Sequence, residues 1–421
     1  MQVFKFGGAS VKNAESIINV ASILKKYSGT KTIVVISAMA KTTNKLEELV
    51  NAYFYNEGNV QAILNELKNF HFAILLQLIP DKNNLIYNDI ENVFLELLWT
   101  IEDEPTNNYN YYYDQIVSQG EVLATKIVSA YLNETEINNK WLDARGIIQT
   151  DNSYREGKVN YELSQHLVKT ELMPFFNSVN IVITQGFIGG TSENFTTTLG
   201  REGSDYTAAL LAYFSDAEQV IIWKDVPGVL NADPKYFKNT KKIDELTYHD
   251  AIELTYYGAS VIHPKTIKPL QNKNIPLFVK SFINPAEEGT VIKDSNKRSN
   301  VTSYIFKTNQ ILLSIQPKDF SFIAEDNLSN IFTILSKNNI HVNMMQNSAI
   351  SFSICTDFDS HKINPLIEEL QKEFKVLYNN PVQLMTIRNY DQDTITKLSA
   401  GKIILIEQRS RNTHQMVLKD N

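Results

Sequence analysis

A short strand, Val3 to Phe6, runs straight into Gly7-Gly8 and then into a segment with helical periodicity. That strand–glycine–helix order recurs as far as Thr290 and constrains the fold more than any other feature. Lys31 to Ala38 is a continuous apolar run ending in small residues, which suits a strand buried on both faces. Asn180 to Phe187, Gln219 to Asp225 and Ile275 to Phe282 repeat the strand signal. Helical spacing places Ile17, Val20, Ala21 and Leu24 on one face, and Ser204 to Phe214 reads as another helix. Alternation of this kind predicts an α/β fold. In open parallel sheets ligands sit beyond the carboxyl ends of the strands, so the glycine turns are expected to line one cleft. The stretch Asn44 to Leu132 departs from the alternation. It reads as a helical lobe broken near Pro80 and Pro105.

The chain has 421 residues, more than one compact core accommodates, and predicts two or three domains. A polar stretch, Asp294 to Val301, marks a boundary. Beyond it come a strand (Gln310 to Ile315), a helix (Asn327 to Ser336), strands (Ile340 to Met345 and Ile350 to Ile354), a helix (Lys362 to Phe374) and a strand (Val382 to Ile387). This β-α-β-β-α-β order is the α+β ferredoxin-like arrangement. The boundaries expected are 1–295, 302–381 and a short last unit, 382–421.

Net charge is −7, which leaves no basic surface for sequence-independent nucleic-acid binding. Cys355 is the single cysteine, so no intramolecular disulfide forms, as expected of a reducing, cytoplasmic setting. The chain opens on a strand rather than a basic-then-apolar leader. Its longest apolar run, His71 to Pro80, falls well short of the ~20 residues of a membrane helix. Neither a His-x-x-x-His pair nor a Cys/His cluster occurs, and no metal ligands are assigned.

Three motifs carry chemistry. In Lys5-Phe6-Gly7-Gly8-Ala9-Ser10 a strand ends, glycines admit close approach, and a helix start offers N–H groups to an anion, with Lys5 adding charge. Alone, this reads equally as a tight turn with a surface lysine. In Thr196 to Thr207 hydroxyls, glycines and Arg201 crowd one helix start, where Ser204 or Asp205 can cap and Arg201 can grip a carboxylate. In Trp223-Lys224-Asp225-Val226-Pro227-Gly228 a buried strand ends in charge and a turn. An ordinary turn accounts for it equally well.

Together the three resemble the aspartate kinase branch of the amino-acid kinase family. KFGGAS, TTTLGREGSDYTAA and WKDVPGV stand where that family has its own signatures. So do Ser37-Ala38-Met39 with Thr43-Asn44, Ser118-Gln119-Gly120-Glu121, Thr184-Gln185-Gly186-Phe187 and Gly258 to Pro264. The matches span Lys5 to Thr290 in family order. The resemblance implies an open, mainly parallel sheet with helices on both faces. It implies transfer of the γ-phosphoryl group of ATP, with Mg²⁺, to aspartate. Lys5, Asp205 and Lys224 would be catalytic. Gly7, Gly8, Asp225, Leu230, Lys235, Ser260 and Val261 would join Lys5 and Lys224 along the nucleotide. Ser37, Thr43, Glu121, Phe187, Arg201, Glu202, Gly203 and Ser204 would hold aspartate, Arg201 at the α-carboxylate and Glu121 at the α-ammonium.

The sequence departs from the family where Ser260 replaces a lysine, Lys224 a threonine, Glu202 a common glycine and Leu230 a tyrosine. Lys224 is expected to supply the charge lost at Ser260, with Lys265 the second candidate. The C-terminal region resembles paired ACT units, which implies an amino-acid effector and a homodimer through those units. Phe320, Asn327, Leu328, Val342, Asn343 and Ser348 fall at effector positions. Asn343 and Ala349 replace carboxylates of lysine-sensitive members, so lysine inhibition is expected to be weak, altered or absent. Rival readings are a glutamate or N-acetylglutamate kinase, and a weakly active subunit serving as an amino-acid sensor.

Overall fold

The computed structural model describes residues 1–259, 262–295, 299–319 and 321–421. It divides into two compact units. One comprises Met1–Val229, Lys242–Ile252 and Val261–Arg298, the other Leu230–Lys241, Glu253–Ser260 and Ser299–Asn421. No helix among the described residues is long and apolar enough to cross a membrane.

The chain opens with β1 (Gln2–Phe6), α1 (Ala14–Lys26) and β2 (Thr32–Ile36). Then come α2 (Thr42–Phe54), α3 (Val60–Leu78), α4 (Ile86–Thr100), α5 (Tyr109–Val117), α6 (Gln119–Glu134) and β3 (Asn139–Leu142). It continues through α7 (Tyr161–Leu167), β4 (Ile181–Gln185), β5 (Ile188–Gly190), β6 (Thr196–Thr198), α8 (Gly203–Phe214), β7 (Gln219–Lys224) and β8 (Glu245–Thr247). The series ends with α9 (Tyr248–Tyr256), α10 (Pro264–Asn272), β9 (Leu277–Ser281) and β10 (Thr290–Lys293). Eight strands form one sheet in the order β3-β4-β2-β1-β7-β9-β10-β8. Every neighbouring pair is parallel except β9 with β10.

The apolar runs read from the sequence become the centre of this sheet, where β2 and β4 are buried at every position. Asn13 caps α1 by accepting from the Ser16 amide at 2.9 Å, and Ile17, Val20 and Leu24 pack the helix into the core. The helical stretch breaks into separate helices near Pro80 and Pro105 as expected, and also between α2 and α3 and between α5 and α6, where no proline stands. Asn59 and Asn108 cap two of them by accepting from the amides of Ala62 and Tyr111.

The second unit contains β11 (Ser303–Pro317), α11 (Glu325–Lys337), β12 (Val342–Asn347), β13 (Phe352–Asp357), α12 (Ser360–Leu370), β14 (Phe374–Arg388), α13 (Gln392–Ser399), β15 (Lys402–Arg409) and β16 (Thr413–Asp420). They form one antiparallel sheet, β12-β13-β11-β14-β16-β15. The strands expected at Gln310 to Ile315 and Val382 to Ile387 are halves of two long partners. These pair from Ser303 with Arg388 to Pro317 with Phe374, across register shifts between Lys307 and Leu312. The helix expected to reach Phe374 stops at Leu370. Phe374 instead opens β14 and packs with Ile363, Leu366 and Leu370 in one apolar cluster.

Candidate active site

The parallel register aligns Gln185, Ile36, Phe6 and Trp223 in one row across β4, β2, β1 and β7. One step further along the chain stand Gly186, Ser37, Gly7 and Lys224. Residues scattered over the sequence therefore emerge together at the carboxyl ends of adjacent strands, where parallel sheets place ligands.

Lys5 projects from β1 and its Nζ lies 2.7 Å from Asp205 Oδ1, with side-chain exposures of 12% and 5%. Asp205 sits in the first turn of α8, whose amino end favours negative charge. Burial works against an ionised Asp205. The charges of Lys5 and Lys224 outweigh it and hold the carboxyl below its ordinary range. A Cβ on Gly7 would lie 3.4 Å from the Lys5 ammonium, and one on Gly8 would lie 2.7 Å from the Ala38 carbonyl. The turn after β1 thus stays bare beside a buried cation, a setting that admits a phosphate.

Glu121 lies in the first turn of α6, 3% exposed. Its Oε1 accepts from the Ala38 amide at 3.2 Å, and its Oε2 is buried without a partner. Burial pushes this carboxyl up to about 8, against the Ala38 hydrogen bond and the Lys5 charge. An unpartnered buried carboxylate oxygen is costly and fits a site that receives a cationic group. The helix is held by Thr125, whose hydroxyl donates to the Glu121 carbonyl and accepts from Gln185 Nε2 and Trp141 Nε1. Ser37 is anchored by its amide to the Phe6 carbonyl, and Thr43 stands in the first turn of α2.

Phe187, just past β4, has φ 70°, a conformation rare outside glycine. Its amide donates to the Thr207 hydroxyl, and its carbonyl accepts from Leu199. A Cβ on Gly203 would come within 2.7 Å of the Phe187 ring, and one on Gly186 within 2.5 Å of Ser204 Cβ. Glycines here let the strand end and the start of α8 touch. Glu202 has φ 54°, which explains why glycine suits the position. Its carboxylate accepts from the His263 amide at 2.9 Å, an anchor glycine lacks. Arg201 is exposed beside it.

The other expected site residues fall as follows. Asp225 is exposed in the first unit, whereas Leu230 and Lys235 belong to the second. Ser260, Val261 and Phe320 lie outside the described residues. In the second unit Asn327 and Leu328 lie in α11, Val342 and Asn343 in β12, and the Ser348 hydroxyl bonds Ser351. Asn343 is fully engaged. Its Oδ1 accepts from Lys307 Nζ at 2.8 Å, and its Nδ2 donates to Gln310 and Asp357.

Sequence reasoning missed Thr125, Asp114 and Gln115, and gave Gln185 no role beyond its place in a motif. Asp114 is fully buried, and burial, opposed by its hydrogen bonds, pushes its carboxyl up to about 6. The available signal was a lone carboxylate in the apolar, aromatic run Tyr111 to Val117.

The model of the amino acid kinase family matches residues 1–281. The lysine-sensitive aspartokinase 3 of Escherichia coli (strain K12) is 33% identical over 362 residues, covering 84% of this chain and 78% of that one. Aspartokinase 3, chloroplastic, of Arabidopsis thaliana is 32% identical over 394 residues, covering 88% and 68%. The crystal structure of E. coli aspartokinase III with aspartate and ADP superposes with a TM-score of 0.84 at 28% identity, covering 99% of this chain and 96% of that one. The complex of that enzyme with lysine and aspartate gives 0.82 at 29% identity, covering 99% and 95%.

Proposed function

The chain belongs to the amino acid kinase family, in its aspartokinase branch, and from that premise we propose that it transfers the γ-phosphoryl group of ATP to the β-carboxylate of L-aspartate, giving 4-phospho-L-aspartate. The observation that carries the reading is the buried Lys5–Asp205 pair set beside a bare glycine turn, with Glu121 holding an unpartnered oxygen. A relative of known structure binds both aspartate and ADP. ADP release measured with aspartate, glutamate and N-acetylglutamate tests it: aspartate alone supports turnover, and equal turnover with glutamate refutes the assignment.

The nucleophile is already ionised near neutral pH, with an ordinary carboxyl pKa of about 3.9, so no general base is required. A β-carboxylate oxygen attacks the γ-phosphorus, the bond to ADP breaks, and ADP leaves with the electron pair. Catalysis is then positioning and charge dispersal. Lys5 neutralises the moving phosphoryl oxygens, Gly7 and Gly8 present backbone N–H groups, and Asp205 orients Lys5 and Lys224. Glu121 takes the α-ammonium and Arg201 the α-carboxylate. Ser37, Thr43, Phe187, Glu202, Gly203 and Ser204 frame the substrate. Asp225, Leu230, Lys235, Ser260 and Val261 are assigned to the nucleotide by resemblance. Mg²⁺ supplies further charge neutralisation at the phosphates when bound. Asp205 is already ion-paired, so the donor set fits an ion carried by phosphate and water rather than by a protein cage.

The Glu121 environment sets a pH dependence. An ammonium binds the ionised carboxylate, whose pKa lies at about 8 in the free site. Below that pH aspartate must displace a proton. KM for aspartate is therefore expected to fall as pH rises from 6 to 8 and to level above it. Glu121→Gln removes this dependence and raises KM by about ten- to a hundredfold, the loss of one charged hydrogen bond. A KM constant from pH 6 to 9 in the parent enzyme contradicts the role.

Residues 1–295 are assigned as the catalytic region, 302–381 as a first ACT unit and 382–421 as a second, shorter one. Homodimerisation through these units is proposed by resemblance, and sedimentation reads it directly. A lysine effector is disfavoured because the ammonium of Lys307 occupies Asn343. Lysine in the micromolar range is expected to leave the rate unchanged in steady-state assays. Half-inhibition at such concentrations overturns this.

A further inference from the structure

We propose that Asp114 and Gln115 are positioning residues that fix the spacing between the two ends of the amino-acid site, a role that rests on the assignment of Glu121 and Arg201 above. Strand β6 pairs along one edge with β5. Among the described residues no strand lies along its other edge, and side chains of α5 take that place. Gln115 Nε2 donates to the Thr196 carbonyl at 2.8 Å, and its Oε1 accepts from the Thr196 amide at 3.1 Å, so one amide side chain imitates a neighbouring peptide. Asp114 Oδ2 accepts from the Thr198 amide at 2.9 Å, and Oδ1 from the Thr198 hydroxyl at 2.7 Å. Oδ2 also accepts from the Arg155 amide at 2.8 Å. The Gly157 amide donates to the Thr198 carbonyl at 2.9 Å, which completes the edge.

Both ends of this lock lead to substrate. From Thr198 the chain passes through Leu199 and Gly200 to Arg201. From Asp114 it passes through Ser118 directly into α6, whose first turn carries Glu121. The Ser118 amide bonds back to the Asp114 carbonyl, so the two helices share one junction. The helix holding the group for the ammonium is thereby tied to the ribbon holding the group for the carboxylate. A rigid tie of this kind acts on capture of the amino acid and leaves the nucleotide end alone.

Two substitutions at one position test it. Asp114→Ala removes all three acceptor bonds. Asp114→Asn keeps one oxygen for the two amides and presents an amide group that can donate to the Thr198 hydroxyl. Asp114→Ala is expected to raise KM for aspartate at least tenfold while KM for ATP stays within twofold. Asp114→Asn is expected to restore KM for aspartate to within threefold of the parent. Hydrogen exchange without substrate gives an independent readout. In Asp114→Ala the Thr198 and Arg155 amides lose at least tenfold protection while amides of β1 and β2 keep theirs. Equal rises in both KM values, or unchanged protection at Thr198, overturn the proposal. Lost protection throughout the sheet makes Asp114 a general stability residue and overturns it as well. If the parent lacks aspartate-dependent turnover, the activity reading fails, and the exchange result still decides the lock.

Discussion

Lys5→Met is expected to lower kcat by on the order of a thousandfold, the scale set by removing a preorganised charge from a developing oxyanion. The substitution deletes the cation that lies against Asp205 at 2.7 Å beside Gly7. It also strands a carboxylate whose side chain is 5% exposed. Breaking a buried pair in this way costs about 3–5 kcal/mol, so lost activity alone would not separate catalysis from folding. The double variant Lys5→Met/Asp205→Asn removes the stranded charge. It is expected to regain most of the melting temperature and none of the turnover. A kcat for Lys5→Met within tenfold of the parent contradicts the catalytic role. Recovery of turnover in the double variant makes the pair structural.

Lys224→Thr is the second large effect, expected at a hundredfold or more in kcat, on the order of one lost electrostatic donor. Lys224 is the last residue of β7, and its charge helps hold Asp205 ionised. Family members commonly have threonine there and a lysine at the position of Ser260. On the proposed assignment this chain carries that charge at the end of β7 instead. Lys265, the other candidate, is exposed in the first turn of α10. Lys265→Ala is expected to change kcat less than fivefold in the same steady-state assay. Near-parental activity in Lys224→Thr, or a collapse in Lys265→Ala, reverses the assignment.

What the sequence disclosed and what it hid differ in kind. Lys5, Gly7, Gly8, Ser37 and Lys224 were legible because each lies at or next to the end of a buried strand, and the parallel register sets those ends side by side. Gly203 and Asp205 were legible as parts of a glycine-bearing helix start, but the cap expected of Ser204 or Asp205 does not form: both lie inside α8, and Glu202 at the N-cap makes no side-chain capping bond. Pairings between distant segments were not legible. The bonds of Asp114 and Gln115 to β6 join a helix to a strand more than 80 residues later, and nothing within either segment announces the partner. The long strands β11 and β14 were read as half their length because register shifts interrupt their alternation. Strand β3 went unread because Asn139 to Leu142 is short and mixed in character. The grouping of residues 230–241 with the C-terminal unit was equally hidden, since it follows from tertiary packing.

The central claim is tested most directly by trapping the product as a hydroxamate: the full chain with Mg-ATP, hydroxylamine and either aspartate, glutamate or N-acetylglutamate. An acyl phosphate reacts with hydroxylamine, whereas a phosphate ester does not. The account predicts hydroxamate with aspartate alone, dependent on ATP and absent in Lys5→Met. Folded protein that yields no hydroxamate with aspartate contradicts it.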